Sequence, residues 1–403
     1  MTQPLCVERF CPICGYDKKE VLYTRHFAAF QGVSFLTTYD VVCCDKCGGV
    51  YADNIPNQED FEKYYEENSK YEQLFEQRLS DSLYDSNAEL LVRGLTDKNS
   101  SILDVGCGNG HLLAALKRQG YKNLKGVEPS FACAQYVKTE YGIPCVEGSF
   151  SQMSLLDNTT EYDAVILHYT LEHIVNVYEV IEAISKMINS KGLLFIGVPN
   201  LNDFNPEVNG PYQEFSTEHI NYFCLESLQN MLGIFGFELV LLDLCRQGRI
   251  SCVFRKSGHI RRVKKETHSK KCINAYIKKS ADLDSSIAKI ITNAVSDDGN
   301  KLIVWGTGTL TLHLLATGIL SANNIRAFVD SNPHYIDGAF NKIPVIAPET
   351  LTKYNEPILI SSFDWHDEIL NIIKNKLSLK NQVISINGST RRIIKTVKIT
   401  PPP

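Results

Sequence analysis

Residues 101–110 read SILDVGCGNG: a short apolar run that ends at an acid, Asp104, and gives way to glycines at alternate positions, Gly106, Gly108 and Gly110. The next ten residues, HLLAALKRQG, are amphipathic and close on Gly120, so the stretch predicts a strand, a tight turn and a helix. Glycine in such a turn lets the backbone approach a ligand closely, and the N-terminus of the following helix favours polar or anionic atoms beside it. The spacing is G-x-G-x-G and not the G-x-G-x-x-G that cradles a pyrophosphate, so a dinucleotide is not the obvious ligand. Eighteen residues past Gly110, Glu128 and Pro129 end a second apolar run, LKGVEPS, where a carboxylate can accept both hydroxyls of a ribose.

Outward from this turn the same alternation continues. PCVEGSF (144–150), YDAVILHY (162–169) and GLLFIGVPN (192–200) supply further strands with helical segments between them. Such βαβα order predicts an α/β domain with a parallel, doubly wound sheet and its ligands beyond the carboxyl ends of the strands. A second unit of this kind follows in KLIVWGTGTLTLHLLATGIL (301–320), IRAFVDSNP, IPVIAPETL and PILISS, where a strand again ends in a glycine turn and another ends in an acid, Asp330. Gly306 and Gly308 match the first fingerprint glycines there, but Thr311 stands at the third position, which makes a dinucleotide a weak expectation.

Ahead of the central unit lie two C-x-x-C-Gly pairs, Cys11/Cys14 and Cys44/Cys47. Each pair presents two thiolates on one side of a turn, and together they complete a closed tetrahedral site suited to a structural Zn2+. Cys43 could stand in for Cys44, but only Cys44 gives the x-x spacing. The competing reading is unrelated buried or redox thiols. Residues 57–98 are polar and helical in pattern, with Phe61, Tyr64, Tyr65, Tyr71 and Phe75 spaced for one helix face; packing onto the next domain accounts for most of them. Between Arg255 and Lys279, ten of 25 positions are Lys or Arg, which reads either as a solvated helix face or as a source of phosphate contacts. These shifts divide the chain into 1–56, 57–99, 100–254, 255–290 and 291–403.

Composition narrows the function. At 403 residues the chain holds two or three domains, and a net charge of −5 gives no general pull toward nucleic acid. No apolar run approaches the roughly 18 to 20 residues that span a bilayer. Thirteen cysteines, an odd number, and an opening without an apolar run and cleavage site point to a cytoplasmic protein with reduced thiols. Chemistry is concentrated after the fifth strand, in PNLNDFNPEVNGPYQEFSTEHINYF, too rich in His, Glu, Tyr and Asn for a plain connector. Glu218-His219 is the best candidate base there, because imidazole titrates near neutrality and a neighbouring carboxylate can hold its tautomer. Alternatively the histidine caps the helix that begins near Cys224.

The SILDVGCGNG turn with Glu128 resembles the class I S-adenosylmethionine-dependent methyltransferases over about residues 100–245. That resemblance implies that Asp104 and the turn of Gly106, Gly108 and Gly110 meet the methionine end, and that Glu128 with Pro129 holds the ribose. It also implies that Ser149 and Phe150 lie near the adenine, and that His168 lies against the cofactor; a satisfied structural histidine is the other reading of His168. With the four-cysteine module before it and the second Rossmann-like unit behind it, the whole chain is similar to the sugar C-methyltransferase family, which methylates a carbon beside the ketone of a nucleotide-linked deoxyhexulose. In that family's pattern His219 removes the acidic proton beside Glu218, His173 is a second active-site histidine, and Tyr71 is the nearest counterpart of a tyrosine that lines the pocket. Tyr222 could steady the enolate. The family's Tyr-His-Glu-His is Ser216-Thr217-Glu218-His219 here, and Tyr169 replaces an asparagine, so the substrate and the methylated atom can differ. An O-methyltransferase of a surface polysaccharide sugar or other small precursor, with His219 deprotonating a hydroxyl, is the first alternative. A dinucleotide oxidoreductase acting through the C-terminal unit, and a zinc module that recruits a partner, are the others.

Overall fold

The computed structural model describes residues 6–29, 36–67, 81–149, 161–243, 248–295, 301–332, 335–336 and 338–387. Its first sheet begins with β1 (Lys19–His26), β2 (Thr38–Cys44) and β3 (Val50–Asp53), an antiparallel meander in which Lys19 faces Cys44 and Asp40 faces Asp53. All four residues of β3 are buried, because both of its faces are covered. Helices α1 (Gln58–Glu67) and α2 (Asp81–Val92) lead to the central sheet. Tyr71, an expected site residue, lies outside the described residues, as does Phe150.

The central unit runs β4 (Ser101–Val105), α3 (His111–Arg118), β5 (Asn123–Glu128), α4 (Phe131–Tyr141), β6 (Cys145–Glu147), β7 (Tyr162–His168), α5 (Val177–Met187), β8 (Ile188–Pro199), α6 (Pro206–Asn209), β9 (Asn221–Tyr222), α7 (Leu225–Ile234), β10 (Phe237–Asp243) and β11 (Arg249–Lys256). Seven of these strands form one sheet in the order β10-β11-β8-β7-β4-β5-β6, parallel from β6 to β8 and antiparallel at β11. Ile102, Leu103 and Val105 of β4 and Val165, Ile166 and Leu167 of β7 are at most 1% exposed, as a strand covered on both faces must be. Local signals agree with this. Ser130 caps α4 through Cys133, Gly142 ends it in the left-handed region, and Cys224 with Ser227 forms a capping box on α7. The chain runs outward from β4 through β5 to β6, then returns to β7 on the other side of β4, and that reversal opens a crevice at the ends of β4 and β7.

The remaining elements are α8 (His268–Ala294), β12 (Leu302–Trp305), α9 (Thr309–Ala316), β13 (Ile325–Val329), β14 (Ala339–Phe340), β15 (Ile343–Ile346), β16 (Ile358–Ile360), α10 (His366–Asn371) and β17 (Val383–Ser385). Their sheet, β14-β15-β13-β12-β16-β17, is parallel except at β14. The expected boundaries are softer than the sequence implied. Strand β11 runs into the basic stretch, and α8 reaches past residue 290. More important, β9 does not join the central sheet: it pairs with β3, Val50 facing Tyr222, and completes the first sheet. One apolar cluster runs from that sheet through Phe215 and Tyr276 to Leu314 and Phe328 of the C-terminal unit. No described helix is long and apolar enough to cross a membrane.

Candidate functional site

The crevice at the end of β4 is shaped by backbone in the left-handed region that favours glycine. Gly106, Gly108 and Gly110 have φ of 75°, 52° and 73°. A Cβ on Gly106 would stand 2.8 Å from Thr170 Cγ2, and one on Gly110 would stand 2.7 Å from Val137 Cγ2. Asp104 is 2% exposed, and its Oδ1 has no hydrogen-bond partner among the described residues. Burial first, and Glu128 second, push its carboxyl up to about 8. Glu128 turns back onto the turn, accepting the Gly108 N–H at 2.8 Å and the Ser130 N–H at 3.0 Å. Tyr84, Asn109, His111, His168 and Tyr169 line the rest of the crevice, and Ser149 is buried near the end of β6.

His168 is held by hydrogen bonds and lines the crevice. The Ser251 hydroxyl donates to Asn87 Oδ1 at 3.0 Å, which leaves the Asn87 amide to donate to His168 Nε2 at 2.9 Å. Burial, then Arg249, push the imidazole down to about 3. It is therefore a neutral ring, anchored at one nitrogen, that forms a wall of the crevice.

Five residues on from His168, the chain reaches a second constellation. Tyr169 takes φ 54°, the Thr170 hydroxyl donates to the Val105 carbonyl at 3.2 Å, and Leu171–His173 form one 3₁₀ turn. His173 Nδ1 lies 3.1 Å from the Glu218 carbonyl oxygen and 3.0 Å from the Tyr65 hydroxyl. A carbonyl only accepts, so Nδ1 carries the proton and Nε2 the lone pair. The His219 ring stands edge-on to His173 with centroids 4.9 Å apart, and Tyr64 donates to Glu218 Oε1 at 3.0 Å. Glu172 is 1% exposed, neither of its carboxylate oxygens has a partner among the described residues, and burial pushes it up to about 8. The two segments are pinned to each other by Ile220 N–H to the Glu172 carbonyl at 2.8 Å and by the Asn221 amide to the Leu171 and Ile174 carbonyls at 2.9 and 2.7 Å.

Other expectations are corrected. Tyr222 does not stand in this constellation as an enolate partner: it is 2% exposed, its hydroxyl meets that of Tyr39 at 3.2 Å, and its ring packs on Phe215. Its place in β9 explains this, since alternate residues of a strand face opposite ways. Nor does His219 cap α7, a role held by Cys224. Ser216, which stands where the family's pattern has a tyrosine, accepts the N–H groups of Glu218 and His219 at 3.3 and 3.0 Å and so shapes the loop. Tyr64 and Tyr65, given to packing by their spacing, bring their hydroxyls to Glu218 and His173; among the described residues of that face Phe61 alone is fully buried. The usable signal was a pair of hydroxyl-bearing rings where apolar ones would pack as well.

Cys11, Cys14, Cys44 and Cys47 bring their sulfurs within 4.8 Å of one another, with Cys11–Cys47 at 3.5 Å and Cys14–Cys44 at 3.6 Å. Four thiolates at about 2.3 Å from one zinc ion stand roughly 3.8 Å apart, so the set fits that ion. Cys43 faces away, its sulfur donating to the Gly48 carbonyl at 3.5 Å. In the C-terminal turn, Thr307 N–H and hydroxyl both donate to Asp330 Oδ2, and the Thr311 hydroxyl donates to the Gly306 carbonyl and accepts from the Ser361 hydroxyl. Those polar groups satisfy each other within the turn. Of the basic stretch, Lys256 donates to the Ser185 and Ile188 carbonyls, Arg261 pairs with Glu238, and Lys270 pairs with Glu20.

Residues 75–242 match the family described as a methyltransferase domain. The chain is similar to the ubiquinone biosynthesis O-methyltransferase of Rickettsia bellii (strain OSU 85-389), 34% identical over 101 residues, 25% of this chain and 42% of that protein. It is also similar to the (S)-tetrahydroprotoberberine N-methyltransferase of Eschscholzia californica, 27% identical over 110 residues, 26% of this chain and 31% of that one. The chain thus spans less than half the length of these curated relatives. Among solved structures, magnesium protoporphyrin IX methyltransferase from Synechocystis PCC 6803 with bound SAM aligns at 13% identity and a TM-score of 0.39, covering 50% of this chain and 97% of that one. The central unit is of α/β architecture, and its elements from β4 to α7 lie within the residues that match the methyltransferase domain.

Proposed function

We propose that the chain, which matches this domain, is a class I S-adenosylmethionine-dependent methyltransferase whose acceptor is a nucleotide-linked keto sugar, methylated on the carbon beside the ketone. The observation that carries the reading is the meeting of His219, Glu218 and His173 with the Tyr64 and Tyr65 hydroxyls, five residues along the chain from the wall of the glycine crevice. S-adenosylmethionine supplies, when bound, a methyl group on a positively charged sulfur. Asp104, the glycine turn, Glu128 and Pro129 would hold it, with Ser149 on the adenine side. A buried carboxyl at Asp104, whose Oδ1 has no partner among the described residues, suits a cationic ligand, which can take the place of the proton that otherwise neutralises it.

His219 takes the proton alpha to the ketone, Glu218 offsets the charge the imidazole gains, and Tyr64 holds that carboxylate in place. The hydroxyl at hand to steady an enolate oxygen is that of Tyr65, which accepts from His173 Nδ1 and keeps its own proton to donate. Zinc in the four-cysteine module is structural, since four thiolates leave no open position. The test is solvent exchange: with a nucleotide-linked keto sugar in deuterated water and no methyl donor, wild type incorporates deuterium beside the ketone. His219→Gln loses this by about 10² to 10⁴-fold. A second reading, methylation of an oxygen, draws on the likeness to an O-methyltransferase. It requires methyl transfer with no such exchange.

A further inference from the structure

We infer that Glu172, His173 and His219 form a second divalent-cation site, of nitrogen and oxygen donors, separate from the four-cysteine site. One donor atom from each of the three lies within 4.8 Å of the others. Zinc-class ions bonded at about 2.0–2.2 Å need neighbouring donors roughly 3–3.5 Å apart, a closure that small side-chain rotations supply. The carboxylate is the decisive member. Glu172 is 1% exposed and aims both oxygens at no donor among the described residues. A buried carboxylate in that state is strongly disfavoured unless a proton or a cation joins it.

The surroundings of His173 point to a cation as well. Its Nδ1–H is held by the Glu218 carbonyl at 3.1 Å, which leaves Nε2 as the lone-pair nitrogen. Metal-bound imidazoles are held in this way, by a carbonyl or carboxylate on the nitrogen away from the ion. The backbone beneath the three donors is fixed by the Ile220 N–H to Glu172 carbonyl bond at 2.8 Å and by Ser216 on the His219 N–H at 3.0 Å. Two imidazoles and one carboxylate suit zinc, cobalt, nickel or manganese and not calcium, which takes six to eight oxygens. Three protein donors also leave positions open for water or acceptor oxygens.

The consequence for activity rests on the reading of His219 as the base. An ion at this site takes the imidazole lone pair that proton removal needs, so occupancy stops the exchange reaction. The test uses full-length protein, stripped by chelator and titrated with Co2+. The expected result is two cobalt ions per chain. The first gives an intense thiolate-to-cobalt band that Cys44→Ser removes. The second gives weak visible bands with no further thiolate absorption, is lost from Glu172→Gln and from a His173→Gln, His219→Gln double variant, and leaves the thiolate band, a check on folding, in both. One cobalt per chain at saturation, or a second ion that survives in both variants, overturns the site. Deuterium exchange into the keto sugar should fall at least 10-fold as the second ion binds; exchange that rises with the second ion overturns His219 as the base and leaves the site standing.

Discussion

Asp104 is a carboxyl held in the form it would not choose in water. An ordinary aspartate titrates near 3.9, whereas this one is pushed up to about 8 by burial and by Glu128. Between those values the folded chain keeps a proton that the unfolded chain has lost, so stability falls as pH rises through that window. Glu172, raised in the same way, adds to the slope. We expect Asp104→Asn to melt above wild type in the ligand-free state by a margin that widens from pH 5 to pH 8; a constant margin would contradict this account. Binding of a cationic methyl donor should reverse the penalty by ionising Asp104. Titration calorimetry at pH 7 in two buffers of different ionisation heat should then register close to one proton released per donor bound, and nearly none for Asp104→Asn. The residue scale also shows how chemistry hides from pattern. Periodicity assigns Tyr64 and Tyr65 to a packed face, and only their hydroxyl partners reveal what they do.

At the scale of elements, the short β9 is the one that matters. It follows the Glu218-His219 loop and adds to β3, so the four-cysteine module and the candidate base share one sheet. Arg9 strengthens the joint, its guanidinium buried and donating to the Ala52 carbonyl at 2.8 Å, the Val175 carbonyl at 2.7 Å and Asn221 Oδ1 at 2.9 Å. Releasing the metal from the module should therefore disturb the acceptor side and spare the donor side. Cys44→Ser is expected to lose catalytic turnover by at least about 10-fold while its dissociation constant for S-adenosylhomocysteine, measured by calorimetry, stays within about 3-fold of wild type. A parallel loss of donor affinity would mean that the module supports the whole fold and not one side of it.

Across the whole molecule, a buried polar chain ties the first sheet and the loop before β9 to the C-terminal unit. Arg25 of β1, 0% exposed, donates from Nε to the Phe215 carbonyl at 3.1 Å and from Nη1 to His313 Nδ1, and His313 Nε2 donates to Asp284 of α8 at 2.7 Å. Burial, ahead of the opposing pull of Asp284, holds the His313 imidazole below its ordinary value. Truncation of Arg25 to alanine leaves a carbonyl unpartnered and a void among Phe27, Tyr212 and His313. The expected cost is ~2–4 kcal/mol in urea denaturation, with Arg25→Met recovering part of it. A change below 1 kcal/mol would show that the C-terminal unit is held by the apolar cluster alone.

Sequence by itself determined the class of the central sheet, the glycine turn, the acids at the ends of β4 and β5 and the two thiol pairs, because each depends on neighbours within a few positions and on periods of 2 and 3.6 residues. It singled out His219 from the chemistry of its loop and His173 only through likeness to a family, since no local rule joins residues 46 positions apart. The tertiary structure alone decided that Glu172 is buried without a partner, that Tyr222 faces a core, and that β9 leaves its own sheet for another. Those outcomes turn on which surface a segment meets once distant strands have paired, and that information is carried by packing and not by any window of sequence.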